Sequence, residues 1–66
     1  MNLLLNGEPA TAPEAATIAI LLDQLDLPQK GVAVERNREI VPRSLYTTTL
    51  LAEGDRIEIV QFVGGG

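Results

Sequence analysis

The sequence predicts an α+β domain in which one mixed sheet curls around a single helix. Three observations carry that prediction: strand-like alternation near both ends of the chain, a switch to helical period across residues 17–27, and an Asn-Gly pair directly after the first strand-like run. With 66 residues, the sequence can build one domain around one small core.

The first element is MNLLLN, residues 1–6, with Met1, Leu3 and Leu5 on the face assigned to the core and Asn2, Leu4 and Asn6 on the other. Asn6-Gly7 marks a two-residue hairpin turn, because both residues tolerate the positive φ that antiparallel strands prefer there. A second strand starts near Glu8. It is poor in β-branched residues and carries Pro9 and Pro13, which places it at a sheet edge, where a missing backbone donor is harmless.

In TIAILLDQLDL, residues 17–27, the side chains of Ile18, Leu21, Leu22 and Leu25 recur at i, i+3, i+4 and i+7, with Asp23, Gln24 and Asp26 toward water. This is the pattern of an amphipathic helix. Thr17 is the expected N-cap, although Ile20 stands where a reciprocal capping box needs Glu or Gln. Pro28 is expected to end the helix by pushing the preceding residue out of the α region.

VAVERNREIVPR, residues 32–43, reads as a strand, a turn at Asn37 and a short second strand. Val32 and Val34 face inward, and Ile40 or Val41 re-enters the core before Pro42 stops pairing. SLYTTTLL, residues 44–51, suggests a short helical turn placing Leu45 and Leu50 against the core. Glu53, Gly54 and Asp55 form a turn, and RIEIVQF, residues 56–62, is the run most disposed to be a strand. The first and last strands are expected to lie parallel at the centre of the sheet. The order ββαβ, a short connection and a final β is that of the β-grasp. The expected division is a β-grasp body of residues 1–63 and a flexible glycine tail of residues 64–66.

Composition excludes several functions. The 45% apolar share favours a folded globule over a disordered chain. The sequence has no cysteine and no histidine, so it lacks the usual nucleophile and base pairs and the best transition-metal ligands. Catalysis by this chain alone, and a metal or cofactor bound to it, are therefore not expected. The net charge is −4 with the basic residues scattered, which argues against nucleic acid as a partner. The N-terminal residues lack a basic start, and no apolar run is long enough to cross a bilayer, so a cytoplasmic location without membrane contact is expected.

Alternation along the last strand puts Ile57, Ile59 and Gln61 on one side and Glu58, Val60 and Phe62 on the other. Burying Glu58 against the helix would be costly, so Val60 and Phe62 are expected to face outward, as a docking patch that continues into Val63. Beyond Phe62, Val63 and Gly64, Gly65 and Gly66 can extend about 13–14 Å, enough to enter a deep slot. Without Cβ atoms the glycines can pass a channel too narrow for side chains. The carboxylate at Gly66 is ionised at neutral pH and a poor electrophile until a partner activates it.

IVPR at 40–43, EGDRIEIV at 53–60 and the closing VGGG, in the order above, resemble the sulfur carrier family of thiamine biosynthesis (ThiS), a group of ubiquitin-like β-grasp domains. The resemblance spans essentially the whole sequence. It implies that a ThiF-like adenylating enzyme, using ATP and Mg²⁺, activates the carboxylate of Gly66. A sulfur donor of the cysteine desulfurase or rhodanese type would then convert it to a thiocarboxylate. Thiazole synthase (ThiG) would receive the sulfur. Gly65 and Gly66 match the family's Gly-Gly, whereas Gly64 falls at a more variable position. A chain without cysteine cannot carry sulfur as a side-chain persulfide, which fits a carrier that works through its carboxylate. Two alternatives share the fold and tail: the small subunit of molybdopterin synthase or another β-grasp sulfur carrier, and a ubiquitin-like modifier or interaction module. FVGGG lacks the proline found in the approach to the Gly-Gly of molybdopterin synthase small subunits.

Overall fold

A computed structural model describes residues 1–62. Its elements run β1 (Asn2–Leu5), β2 (Glu8–Thr11), α1 (Ile18–Gln24), β3 (Val32–Arg36), β4 (Glu39–Val41), a 3₁₀ turn (Arg43–Leu45) and β5 (Arg56–Gln61). The five strands form one sheet in the order β2-β1-β5-β3-β4. β5 lies in the middle, parallel to β1 and antiparallel to β3, and the two hairpins flank it. This is the mixed β-grasp sheet expected from the sequence. The boundary assigned between residues 63 and 64 lies outside the described residues.

Both hairpin turns have two residues with positive φ, Asn6 and Gly7 in the first, Asn37 and Arg38 in the second. That geometry matches the twist of antiparallel strands. It is easy for Asn-Gly and strained for arginine. β2 is the edge strand predicted, and the register Leu4↔Pro9 explains how it tolerates proline. Leu4 directs its own N–H to Asp55 O, just before β5 and 2.9 Å away, so its partner Pro9 turns its ring nitrogen to the open edge. The strand ends at Thr11, and Pro13 lies beyond it in the loop.

The core forms where the inner faces of the strands meet α1: Leu3, Val32, Val34, Val41, Ile57 and Ile59 pack with Ile18, Leu21 and Leu22. Of the two candidates on β4, Val41 is the buried one and Ile40 is 67% exposed. Thr17 caps the helix as expected, its Oγ1 accepting from the Ile20 N–H at 3.2 Å. At the other end the helix is shorter than residues 17–27. Asp26 adopts φ 58°, its N–H reaches Asp23 O at 3.0 Å, and the Leu27 N–H reaches Leu22 O at 2.9 Å. This pair of bonds is a Schellman closure, with Leu27 packed back on the core, so the chain leaves the helix before Pro28 can act.

Residues 43–51 depart most from expectation. Tyr46 and Leu51 are buried, whereas Leu45 and Leu50 are exposed. The cause is non-local. The first N–H groups of a helix have no partner within it, and here Ile18 donates to Thr49 O at 3.1 Å and Ala19 to Tyr46 O at 2.8 Å. Leu51 returns a bond to Ala16 O at 2.9 Å. The segment lies across the N-terminal end of α1 as a backbone cap, and that role sets which side chains point inward. The Tyr46 hydroxyl then donates to Val32 O at 3.4 Å beneath the sheet.

A single aspartate joins the 52–55 turn to the second hairpin. The Asp55 carboxylate, only 6% exposed as a residue, accepts from Arg36 Nε at 2.7 Å, from Asn37 Nδ2 at 3.1 Å and from the Ala52 N–H at 2.8 Å. Burial pushes its pKa up, but these three hydrogen bonds and the Arg36 charge outweigh that, and the net shift is downward.

Candidate functional site

The site follows from how β5 is held. Odd-numbered residues of β5 direct their backbone toward β1 and even-numbered residues toward β3. β1 pairs only as far as Leu5↔Ile57, where the chain turns into the first hairpin. There the Asn6 side chain takes the place of a strand: Oδ1 accepts from the Ile59 N–H at 2.8 Å and Nδ2 donates to Ile59 O at 3.3 Å. Asn37 does related work at the other hairpin, its Oδ1 accepting from the Arg56 N–H at 2.9 Å. The two turn asparagines thus hold β5 from opposite sides, Asn37 at its first residue and Asn6 past its middle. Beside Asn6 lies a hollow of about 300 Å³ lined by Leu5, Leu25, Leu27, Ile59 and Gln61, at the end from which the chain leaves the sheet.

On the outer face of β5, Val60 is 59% exposed and Phe62 is 61% exposed, as the alternation predicts. Their cross-strand neighbours on β3 make the exposure possible. Val60 stands opposite Ala33, and the Phe62 N–H bonds Gly31 O at 2.9 Å, so the larger side chains face only a methyl group and a hydrogen. Ile57 and Ile59 on the inner face are buried, which settles the facing of the strand; Gln61, on the same side, is exposed at its end. One step toward the start of β5, Glu58 stands directly opposite Glu35, and Glu35 in turn opposite Ile40. Sequence reasoning did not bring Gly31, Ala33, Glu35 and Ile40 to this face. The signal was the register, which depends on turn lengths in two hairpins. Val63, Gly64, Gly65 and Gly66 lie outside the described residues.

Among the described residues there is no group of three or more His, Cys, Asp or Glu side chains placed to hold a metal ion, and no helix long and apolar enough to cross a membrane. What the described residues offer is a central strand with an uncovered apolar end, leading into Val-Gly-Gly-Gly. The fold is that of a ubiquitin-like β-grasp domain.

The ThiS family model matches residues 3–66, and the chain belongs to the ThiS family, the sulfur carriers of thiamine biosynthesis. It is similar to the sulfur carrier protein ThiS of Bacillus subtilis, 45% identical over 65 residues that make 97% of this chain and 98% of the relative. The crystal structure of the thiamine biosynthesis protein ThiS from Geobacter metallireducens superposes with a TM-score of 0.84 at 38% identity, covering all of both chains. A thiazole synthase of Paramagnetospirillum magneticum is 46% identical over all 66 residues, and there the chain spans about a fifth of the relative, 20% of its length. Members of this family are small sulfur carrier proteins and not enzymes, and one of their relatives bears the name of a thiazole synthase.

Proposed function

We propose that this domain carries sulfur on the carboxylate of Gly66. A ThiF-like enzyme binds the tail with ATP and Mg²⁺; a carboxylate oxygen of Gly66 attacks the α-phosphorus, pyrophosphate leaves, and an acyl-adenylate forms. The terminal sulfur of a persulfide on a cysteine desulfurase or rhodanese-type donor then attacks the acyl carbon and AMP departs, leaving an acyl disulfide; a second thiol cleaves its S–S bond, forming a disulfide with the donor's cysteine and releasing the thiocarboxylate. Sulfur makes the group a softer and stronger nucleophile than the carboxylate it replaces. The thiocarboxylate then delivers its sulfur to thiazole synthase.

The chain's own part is presentation. Val60, Phe62 and Val63 dock on each partner, and Gly64, Gly65 and Gly66 thread into its active site, where an extended backbone can pair with the walls and no Cβ obstructs entry. The observation that carries this reading is the run of β5, the strand paired on both sides, directly into V-G-G-G beside two exposed apolar side chains. The similarity to a segment of a thiazole synthase supports the last recipient.

Intact mass spectrometry after incubation with the adenylating enzyme, ATP and a sulfur donor tests the proposal. The expected product has one oxygen replaced by sulfur, located at Gly66 by fragmentation. An unchanged mass with competent partners rejects it. Transfer from the thiocarboxylate to a pterin precursor rather than to thiazole would assign the molybdopterin role instead, and an isopeptide adduct would assign a modifier.

A further inference from the structure

Along the β1 flank of β5 the supporting bonds fall at every second residue: Leu4 N–H to Asp55 O at 2.9 Å, Asn6 N–H to Ile57 O at 2.9 Å, then Asn6 Nδ2 to Ile59 O at 3.3 Å. A side chain makes the third rung because the backbone has already turned away, with Asn6 at φ 50° and Gly7 at φ 82°. Oδ1 of the same carboxamide accepts from the Ile59 N–H at 2.8 Å, so one residue holds both backbone groups of Ile59. Past Ile59 that flank opens into the hollow lined by Leu5, Leu25, Leu27 and Gln61. Among the described residues Asn6 is the last support on that side before the tail.

We infer that Asn6 is a positioning residue for the reaction at Gly66: it fixes the root of the tail, so that the chain leaves β5 in one direction and less freedom is lost when the tail is threaded into the adenylating enzyme. The inference rests on the function proposed above and adds to it a residue that acts from outside the tail. Asn6 lies at the surface, where water can take over its bonds. Losing them loosens residues 59–62 locally while the core keeps the rest of the domain folded. Re-ordering the backbone of one loosened residue on binding weakens affinity roughly five- to thirtyfold.

Gly-Gly suits the same turn as Asn-Gly, so Asn6→Gly deletes the clasp and keeps the hairpin. In steady-state pyrophosphate release by the adenylating enzyme with ATP, KM for this variant should rise about tenfold while kcat stays within about twofold of wild type. In the free variant the Ile59 amide should exchange with deuterium about tenfold faster or more. Asn6→Asp also suits the turn and keeps an acceptor for the Ile59 N–H, but sets a carboxylate oxygen against Ile59 O; it should raise KM in the same direction. Asp55→Ala is the control. It weakens the fold at the opposite end of β5 and, at a temperature where circular dichroism shows it folded, should leave KM unchanged. An unchanged KM in both Asn6 variants overturns the inference. So does a rise in KM for Asp55→Ala as large as that for Asn6→Gly, which would make the effect one of general stability. A wild-type domain from which the competent enzyme releases no pyrophosphate rejects the function proposed at Gly66, a result distinct from either.

Discussion

Replacing Asp55 with alanine removes one acceptor from three donors. The Ala52 N–H at 2.8 Å and Asn37 Nδ2 at 3.1 Å lose their bonds in partly buried positions, and Arg36 Nε at 2.7 Å loses its counterion. Hydrogen bonds to a charged group contribute about 1.5–3 kcal/mol each, but Arg36 is a third exposed and can be rehydrated. The three losses also share one site and do not add. The expected net loss is about 2–4 kcal/mol, which lowers the melting temperature of a domain this size by roughly 10–25 °C. Urea and thermal unfolding followed by circular dichroism measure both. The pH dependence gives a second check. The folded pKa of Asp55 lies below its unfolded value, so its contribution is fully present above the unfolded pKa, about 3.9, and is lost as pH falls through the folded pKa. The gap between wild type and Asp55→Ala should hold constant from neutral pH to about 5 and narrow below about 4. A loss under about 1 kcal/mol, or a gap that widens in acid, would refute the account of Asp55 as the clasp between the two turns.

Arg38 sits at φ 71° in the second hairpin turn, a conformation that costs a non-glycine residue about 1–2 kcal/mol. Arg38→Gly should stabilise the domain by about 0.5–1 kcal/mol after the entropy cost of glycine is counted, and thermal unfolding that moves downward instead would show that the arginine side chain contributes more than its backbone costs. Phe62→Ala should change stability by less than about 0.5 kcal/mol, because the side chain is largely in water, yet weaken titrated binding to the adenylating enzyme and thiazole synthase. Marked unfolding by that substitution would place Phe62 in the core and reverse the facing of β5.

The sequence made some features plain and concealed others for a common physical reason. Strand faces were legible where one side chain in two is apolar, as in β5, because the opposite facing would bury Glu58 at high cost. The first hairpin was legible in Asn6-Gly7, whose conformational freedom is local. The inward residues of 43–51 were not. Their facing is dictated by which carbonyls α1 needs at its N-terminal end, a requirement set by residues 18 and 19 and invisible in SLYTTTLL itself. Asp55 reads as an ordinary turn former, and nothing nearby announces that Arg36 and Asn37 will converge on it. At the candidate site, Val60 and Phe62 could be found by alternation, whereas the facing of Glu35 against Glu58 required the register between two strands more than twenty residues apart in sequence.

The place of β5 between β1 and β3 has a mechanical consequence. In the proposed function the tail is drawn into another protein's active site and later out, and any resistance there would pull along the axis of the strand that bears it. β5 would meet that pull in shear, with its bonds to both neighbours loaded together along their length. An edge strand would bear the same pull on its bonds to a single neighbour. The proposed traffic in and out of partners would load the domain through a strand held on both sides rather than through an edge.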